Sequence, residues 1–227
     1  MERGLYIAAS GMLAEQARQD LISHDLANAS TPGYKADRTI TSSFSAMLLK
    51  DASSGQSVGA LGLGARIEEQ VTDVTPGPLR ETGEPLDFAV QGDGFFAVRG
   101  ANGVRYTRDG QFQVSARGGL VTASGDEVLG AGGQPIRVGP DGTVAGTEIG
   151  VTRLDAAKRA GDNLFTGTAR GASTAPVRVG ALESSAVDAV RTMADMMGSL
   201  RAFEAGQRVI TTIDSTLGKA ASQVGGI

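Results

Sequence analysis

Apolar residues crowd both ends of this chain at helical spacing and alternate with polar ones in its middle. From Leu5 to Ala14 eight of ten residues are apolar, and they point all round a helix instead of along one stripe. A helix over 5–28 therefore needs cover on several sides. At the far end Phe203, Gly206, Ile210, Ile213, Leu217, Ala220 and Val224 step by three and four residues, the spacing of a heptad seam. Upstream, Val190, Met193, Met197 and Leu200 step the same way, and joining the two registers takes an extra three-residue step, as at a stammer. The pattern predicts one helix from about Val187 to Val224, about 57 Å long at roughly 1.5 Å per residue. Gly198, Gly206 and Gly218 each weaken it by about 1 kcal/mol relative to alanine, so it needs partners. The first helix is the obvious partner, either in a helical hairpin of a compact monomer or in a layer shared with other molecules.

The middle has period two. Leu86, Phe88 and Val90 alternate with Asp87 and Ala89; Val104 and Tyr106 with Arg105 and Thr107; Phe112 and Val114 with Gln111, Gln113 and Ser115. Such runs predict half-buried strands. Asp109-Gly110 lies between two of them and predicts a type I′ hairpin turn. Asn102-Gly103, Gly118-Gly119 and Pro140-Asp141-Gly142 are further turn signals. Residues 35–71 show no steady period, apart from a short helix expected at Phe44–Leu49. The predicted fold is mixed α and β: long N- and C-terminal helices pairing as a coiled coil, with an inserted antiparallel β-rich domain. Its parts are an N-terminal axial helix over 1–33, an irregular connector over 34–71, the β-domain over 72–180 and a C-terminal axial helix over 181–227.

The first helix ends abruptly. Leu26–Lys35 reads LANASTPGYK, and Thr31-Pro32-Gly33-Tyr34 puts Pro second and Gly third in a type II turn, where a positive φ favours glycine. Asn28, Ser30 and Thr31 can bond backbone groups released as the helix ends.

Composition narrows the chemistry. Net charge is −4 and the 21 basic residues are scattered, which excludes the basic stripe of a nucleic-acid binder. There is no cysteine, hence no disulfide or thiolate metal site. No run of apolar residues is long enough for membrane insertion, and no removable signal peptide is expected. The sole histidine, His24, sits near the end of the first helix without a nucleophile motif beside it, so a histidine-based triad has little support. Gly92-Asp93-Gly94 and Gly130-Ala131-Gly132-Gly133 lack the spacing and following helix of a phosphate loop. Glu68-Glu69 and Asp126-Glu127 fit a solvated surface better than an acid and base pair. No catalytic residue, metal site or cofactor is expected, and the chain is read as not an enzyme.

LANASTPGYK, preceded by LYIAASGM at Leu5–Met12, resembles the N-terminal signature of the bacterial flagellar rod and hook proteins. PGPLRETGEPLDFAVQGDGFFAV at Pro76–Val98, YTRDGQFQV at Tyr106–Val114 and GLVTASGDEVLG at Gly119–Gly130 resemble the β-core of the rod subfamily. ALESSAVDAV at Ala181–Val190 and RAFEAGQRVITTID at Arg201–Asp214 resemble its C-terminal helix. The chain departs from the family's usual asparagines at His24-Asp25 and at Ala186.

The resemblance, closest to the proximal and distal rod types, implies a structural subunit of the flagellar basal body outside the cytoplasmic membrane. Such subunits leave the cell through the flagellar type III export apparatus and polymerise helically with themselves and neighbouring rod or hook proteins, transmitting torque from motor to hook. It implies a family motif and turn at Asn28, Thr31, Pro32, Gly33 and Tyr34. Assembly helices would carry Leu5, Ile7, Met12, Leu13 and Leu21 at one end and Met193, Met197, Leu200, Phe203, Ile210, Ile213, Leu217 and Val224 at the other. A hook or hook-junction subunit, or a non-flagellar β-rich surface-binding module, remains the alternative.

Overall fold

The computed structural model describes residues 2–43, 47–50, 57–61, 65–139 and 141–224. Helix α1 (Glu2–Ala27) is followed by strands β1 (Asp37–Ser43), β2 (Met47–Lys50), β3 (Ser57–Leu61) and β4 (Ala65–Thr72). Short strands follow: β5 (Leu79–Glu81), β6 (Phe88–Val90), β7 (Phe95–Gly100), β8 (Gly103–Thr107), β9 (Gln113–Val114), β10 (Leu120–Val121) and β11 (Glu127–Val128). A 3-10 turn at Gly146–Glu148 leads to β12 (Val151–Arg159), β13 (Leu164–Ala172), β14 (Val177–Val179) and β15 (Ala181–Glu183). Helix α2 (Ala189–Val224) ends the described chain. Two compact units result: one holds α1, the strands of 37–71 and α2, the other Ala27–Ala36 and Thr72–Asp188.

In the first unit the two helices pack together and run antiparallel. Ser199 of α2 bonds to Glu15 of α1, Gly206 faces Ala8 and Met12, and Ile213 reaches Gly4. Residues 35–71, expected as an irregular connector, contain β1 paired with β4 and β2 paired with β3. The short helix expected at Phe44–Leu49 is corrected where it is described, because Met47–Lys50 pairs antiparallel with the segment around Ser57–Leu61. Backbone pairing needs no period in the side chains, which is why this segment carried no readable signal. Residues 44–46 of that stretch lie outside the described residues, as do Ser53-Ser54-Gly55 and Pro140.

The second unit is built on a seven-stranded sheet in the order β12-β13-β8-β7-β11-β10-β9. Strand β12 also pairs with β7 through Val151↔Phe96, so β12, β13, β8 and β7 close on one another. Two smaller pairs, β14 with β6 and β15 with β5, complete it. Phe88, Val90, Phe96, Val98, Phe112, Leu120, Val128, Ile136, Ile149 and Leu164 lie in one buried cluster, each side chain of this kind stabilising the fold by about 1.5–3 kcal/mol when fully buried. Phe96 and Phe112 meet edge to face at 5.3 Å between centroids.

Three strand readings need correction. Strand β6, paired along one edge with β14, is buried at Phe88, Ala89 and Val90 alike and so has no solvent face. In β8 burial does not alternate: Val104 is exposed, Arg105 and Tyr106 are half-buried and Thr107 is buried, so neither face is the inner one. The type I′ hairpin at Asp109-Gly110 is absent: β8 pairs with β7 and β13, and Gln111 bridges to Asp87 instead of folding back on β8. The Phe88 N–H donates to the Gly110 carbonyl at 3.0 Å, and a Cβ on Gly110 would overlap the Phe88 carbonyl oxygen. Glycine is required there for close backbone approach, since its φ is not positive. Around Gly118-Gly119 the expected turn forms, joining the paired strands β9 and β10, with Gly118 at φ 74°.

Ala181–Glu183 is strand β15, not the start of the terminal helix. Its three residues are buried against β5, a long-range pairing that helical spacing cannot reveal.

Candidate functional site

The α2 positions turned inward are Thr192, Met196, Ser199, Phe203, Gly206, Ile210 and Ile213, all buried or half-buried and spaced by alternating steps of four and three. The seam therefore runs straight through, and the stammer expected at Leu200 is corrected. Thr192 and Ser199 make its upper half partly polar, which hid it: the Ser199 hydroxyl donates to the Glu15 carboxylate at 2.6 Å and stands within 3.3 Å of the Glu15 carbonyl oxygen. The lower half is apolar through Phe203, Ile210 and Ile213, and Gly206 permits a close approach, since a Cβ there would lie 2.8 Å from Met12 Cγ.

Val190, Met193, Met197 and Leu200 form a second face of α2 instead, exposed at 79%, 50%, 57% and 48%. They give α2 one stripe of four large apolar side chains in contact with solvent. Of the other residues expected on the assembly helices, Leu5, Met12, Leu21, Phe203, Ile210 and Ile213 are half-buried, while Ile7, Leu13 and Leu217 are exposed. Leu217 lies one turn beyond Ile213, which already contacts Gly4 at the start of α1, so the described part of α1 leaves nothing for it to pack on. The side chain of Val224 lies outside the described residues. His24 is exposed near the end of α1.

In the second unit the turn after α1 is gripped from several sides. Gly33 has φ 64°, and the Tyr34 N–H donates to the Thr31 carbonyl at 3.3 Å, as a type II turn requires. Thr31 donates from its N–H to the Asn28 carbonyl and from its hydroxyl to the Asn28 side-chain oxygen. Asn163 Nδ2 donates to the Pro32 carbonyl at 3.0 Å. Tyr34 is buried with the Arg159 guanidinium 4.5 Å above its ring, and Arg159 also donates to the Lys35 carbonyl. From the stretch that leads into α2, the Ser185 hydroxyl donates to the Asn28 carbonyl at 3.0 Å, and the Ala186 N–H to the Tyr34 carbonyl at 3.0 Å. The bond from Ala186 is made by backbone, so the loss of the family's usual asparagine there leaves it intact.

Beneath the turn lies a charge cluster that sequence reading missed. Lys35, Arg108 and Glu183 are all fully buried. Glu183 accepts from Lys35 Nζ through one carboxylate oxygen and from Arg108 Nη1 at 3.0 Å through the other. The same carboxylate takes the Gly77 N–H at 2.7 Å, and Lys35 Nζ also donates to the Thr75 carbonyl at 2.5 Å. Arg108 donates to the Gly92 carbonyl at 2.8 Å and lies 5.1 Å from the Phe95 ring centroid. Burial pushes the Lys35 amine below its usual range, Glu183 pulls it back, and the Arg108 charge lowers it again. Isolated Lys, Arg and Glu are ordinarily surface residues, so no local signal marked them.

Asp109, next to Arg108, has its carboxyl raised by burial, with the Gln111 N–H bond at 3.0 Å acting against this and the Asp87 charge acting with it. The folded state thus holds the proton more tightly. Its contribution to stability is full below the ordinary value of 3.8 and is lost as pH rises through the raised value. Asp109→Asn, which keeps the acceptor, is expected to flatten the pH dependence of urea-unfolding midpoints in that acidic window; an unchanged slope would show that Asp109 does not carry it.

Among the described residues no group of three or more His, Cys, Asp or Glu could hold a metal, and no helix is long and apolar enough to cross a membrane. Residues 5–35 match the flagella basal body rod protein family, 89–152 the flagellar hook protein FlgE/F/G D1 domain, and 178–223 the flagellar basal body rod FlgEFG protein C-terminal family. Relatives match along nearly the whole chain. The flagellar basal-body rod protein FlgF of Salmonella typhimurium is 34% identical, over 97% of this chain and 97% of its own. FlgG of Agrobacterium fabrum is also 34% identical, over 93% and 95%, and FlgG of Bacillus subtilis is 30% identical, over 96% and 97%.

Proposed function

The chain belongs to the flagellar basal-body rod protein family, and we propose that it is a structural, non-catalytic subunit of the rod that polymerises helically and passes torque from motor to hook. It resides in the flagellar basal body, as its relatives' names indicate. In this reading residues 1–33 and the helix from Ala189 form the axial core, paired as a coiled coil, and 72–180 form the β-domain attached to it. The partners are further copies and neighbouring rod or hook proteins, reached after passage through the flagellar type III export apparatus.

The observation that carries the reading is the exposed stripe Val190, Met193, Met197 and Leu200, on a helix whose other face is already occupied by α1. A long helix with one seam packed on α1 and one exposed apolar face suits a layer in which each subunit packs on its neighbours.

Deleting the gene is expected to abolish motility and leave basal bodies without a complete rod, with recovery on re-expression. Electron cryomicroscopy of purified basal bodies should then trace this chain in the rod. Motile cells with intact rods after deletion would overturn the assignment, and density in the hook would place the chain there instead.

A further inference from the structure

Lys35, Arg108 and Glu183 come from three remote parts of the sequence. Lys35 and Glu183 are 148 positions apart, and Arg108 and Glu183 are 75 apart. Two cations share one carboxylate in a fully buried site. A buried ionic group of this kind adds little net stability over an apolar cluster of equal volume, yet losing one member strands a charge in the interior. Its effect is therefore conditional: the site is tolerable complete and costly incomplete.

The backbone around it has the same dependence. Gly33 donates its N–H to the carbonyl of Glu183 at 2.8 Å, and the Glu183 carboxylate takes the Gly77 N–H. Ser184 donates to the Pro78 carbonyl at 2.9 Å, in continuation of the β15–β5 pairing. Each segment thus lends bonding groups that another segment needs, and none of these bonds is local.

We propose that Lys35, Arg108 and Glu183 form a completion lock, by which the turn at 33–35 and the strand at 181–184 seat together or not at all. Neither segment holds its place until Glu183, close to the start of α2, has arrived. A chain delivered from its N-terminus cannot close this junction until more than three quarters of it is present. The lock is a property of the second unit and does not depend on the rod assignment.

The test is amide hydrogen exchange by NMR on the full chain. In Glu183→Gln, which leaves both cations without an anion, the Gly33 and Ser184 amides should exchange faster together, by at least about tenfold. The Leu129 amide, bonded to the Ala97 carbonyl in the central sheet, should stay protected. Lys35→Met leaves the Arg108–Glu183 pair neutral, so its effect should be smaller but still shared by both amides. Adding Lys35→Met to Glu183→Gln removes one stranded cation and should restore part of the protection. Should Glu183→Gln fail to fold, Lys35→Met alone decides: Gly33 released with Ser184 unchanged overturns the proposal. So does a Glu183→Gln protein in which both amides keep their protection, or a double variant no better protected than Glu183→Gln.

Discussion

Gly110→Ala is expected to destabilise the second unit by about 4 kcal/mol, at the upper end for a single added methyl group. The new Cβ would overlap the carbonyl oxygen of Phe88, and backbone on both sides is fixed by the Phe88–Gly110 hydrogen bond and the Asp87–Gln111 bridge. Neither side is a flexible side-chain end that could swing away. At roughly 2–4 °C per kcal/mol for a chain of this size, the thermal midpoint should fall by roughly 8–16 °C. Gly118→Ala is the control, because that glycine has φ 74° but open space around its missing Cβ. Only left-handed strain acts there, about 1 kcal/mol. Calorimetry showing equal losses for the two variants would mean that the close approach at Gly110 is not real.

The second large effect concerns assembly. Met193→Glu combined with Met197→Glu is expected to leave the folded monomer within about 0.5 kcal/mol of the parent, since both residues are exposed over half or more of their surface. In an assembly that covers this face, each carboxylate would be desolvated without a partner, at a cost of several kcal/mol. Rod formation and swimming should therefore be lost, with the circular dichroism and thermal midpoint of the purified monomer unchanged. Normal motility in the double variant would remove the exposed stripe from the assembly surface.

Much of the scaffold was legible in the residues themselves. The positive φ at Gly33 is a local requirement of Thr31-Pro32-Gly33-Tyr34, and both helices carry long apolar spacing. The same spacing misled where two faces of α2 overlap in register: Val190 to Leu200 looked like seam, while the seam itself passed through Thr192 and Ser199. Polar residues that bond across a helix pair are invisible to a hydrophobic count. Asp109-Gly110 misled for a related reason, since a dipeptide that suits a hairpin turn also suits any place where backbone must pass close to backbone.

By itself the sequence determined that two helices flank a β-rich middle, where the first helix stops, and that a glycine stands at the bend, because helical periods and turn chemistry act over a few residues. Tertiary structure alone decided which α2 face meets α1, which strands pair, and that Lys35, Arg108 and Glu183 share one buried site. Those outcomes rest on contacts between residues far apart in the chain, where burial changes what a charge costs and a partner's shape selects the face; no window of neighbouring residues contains either quantity.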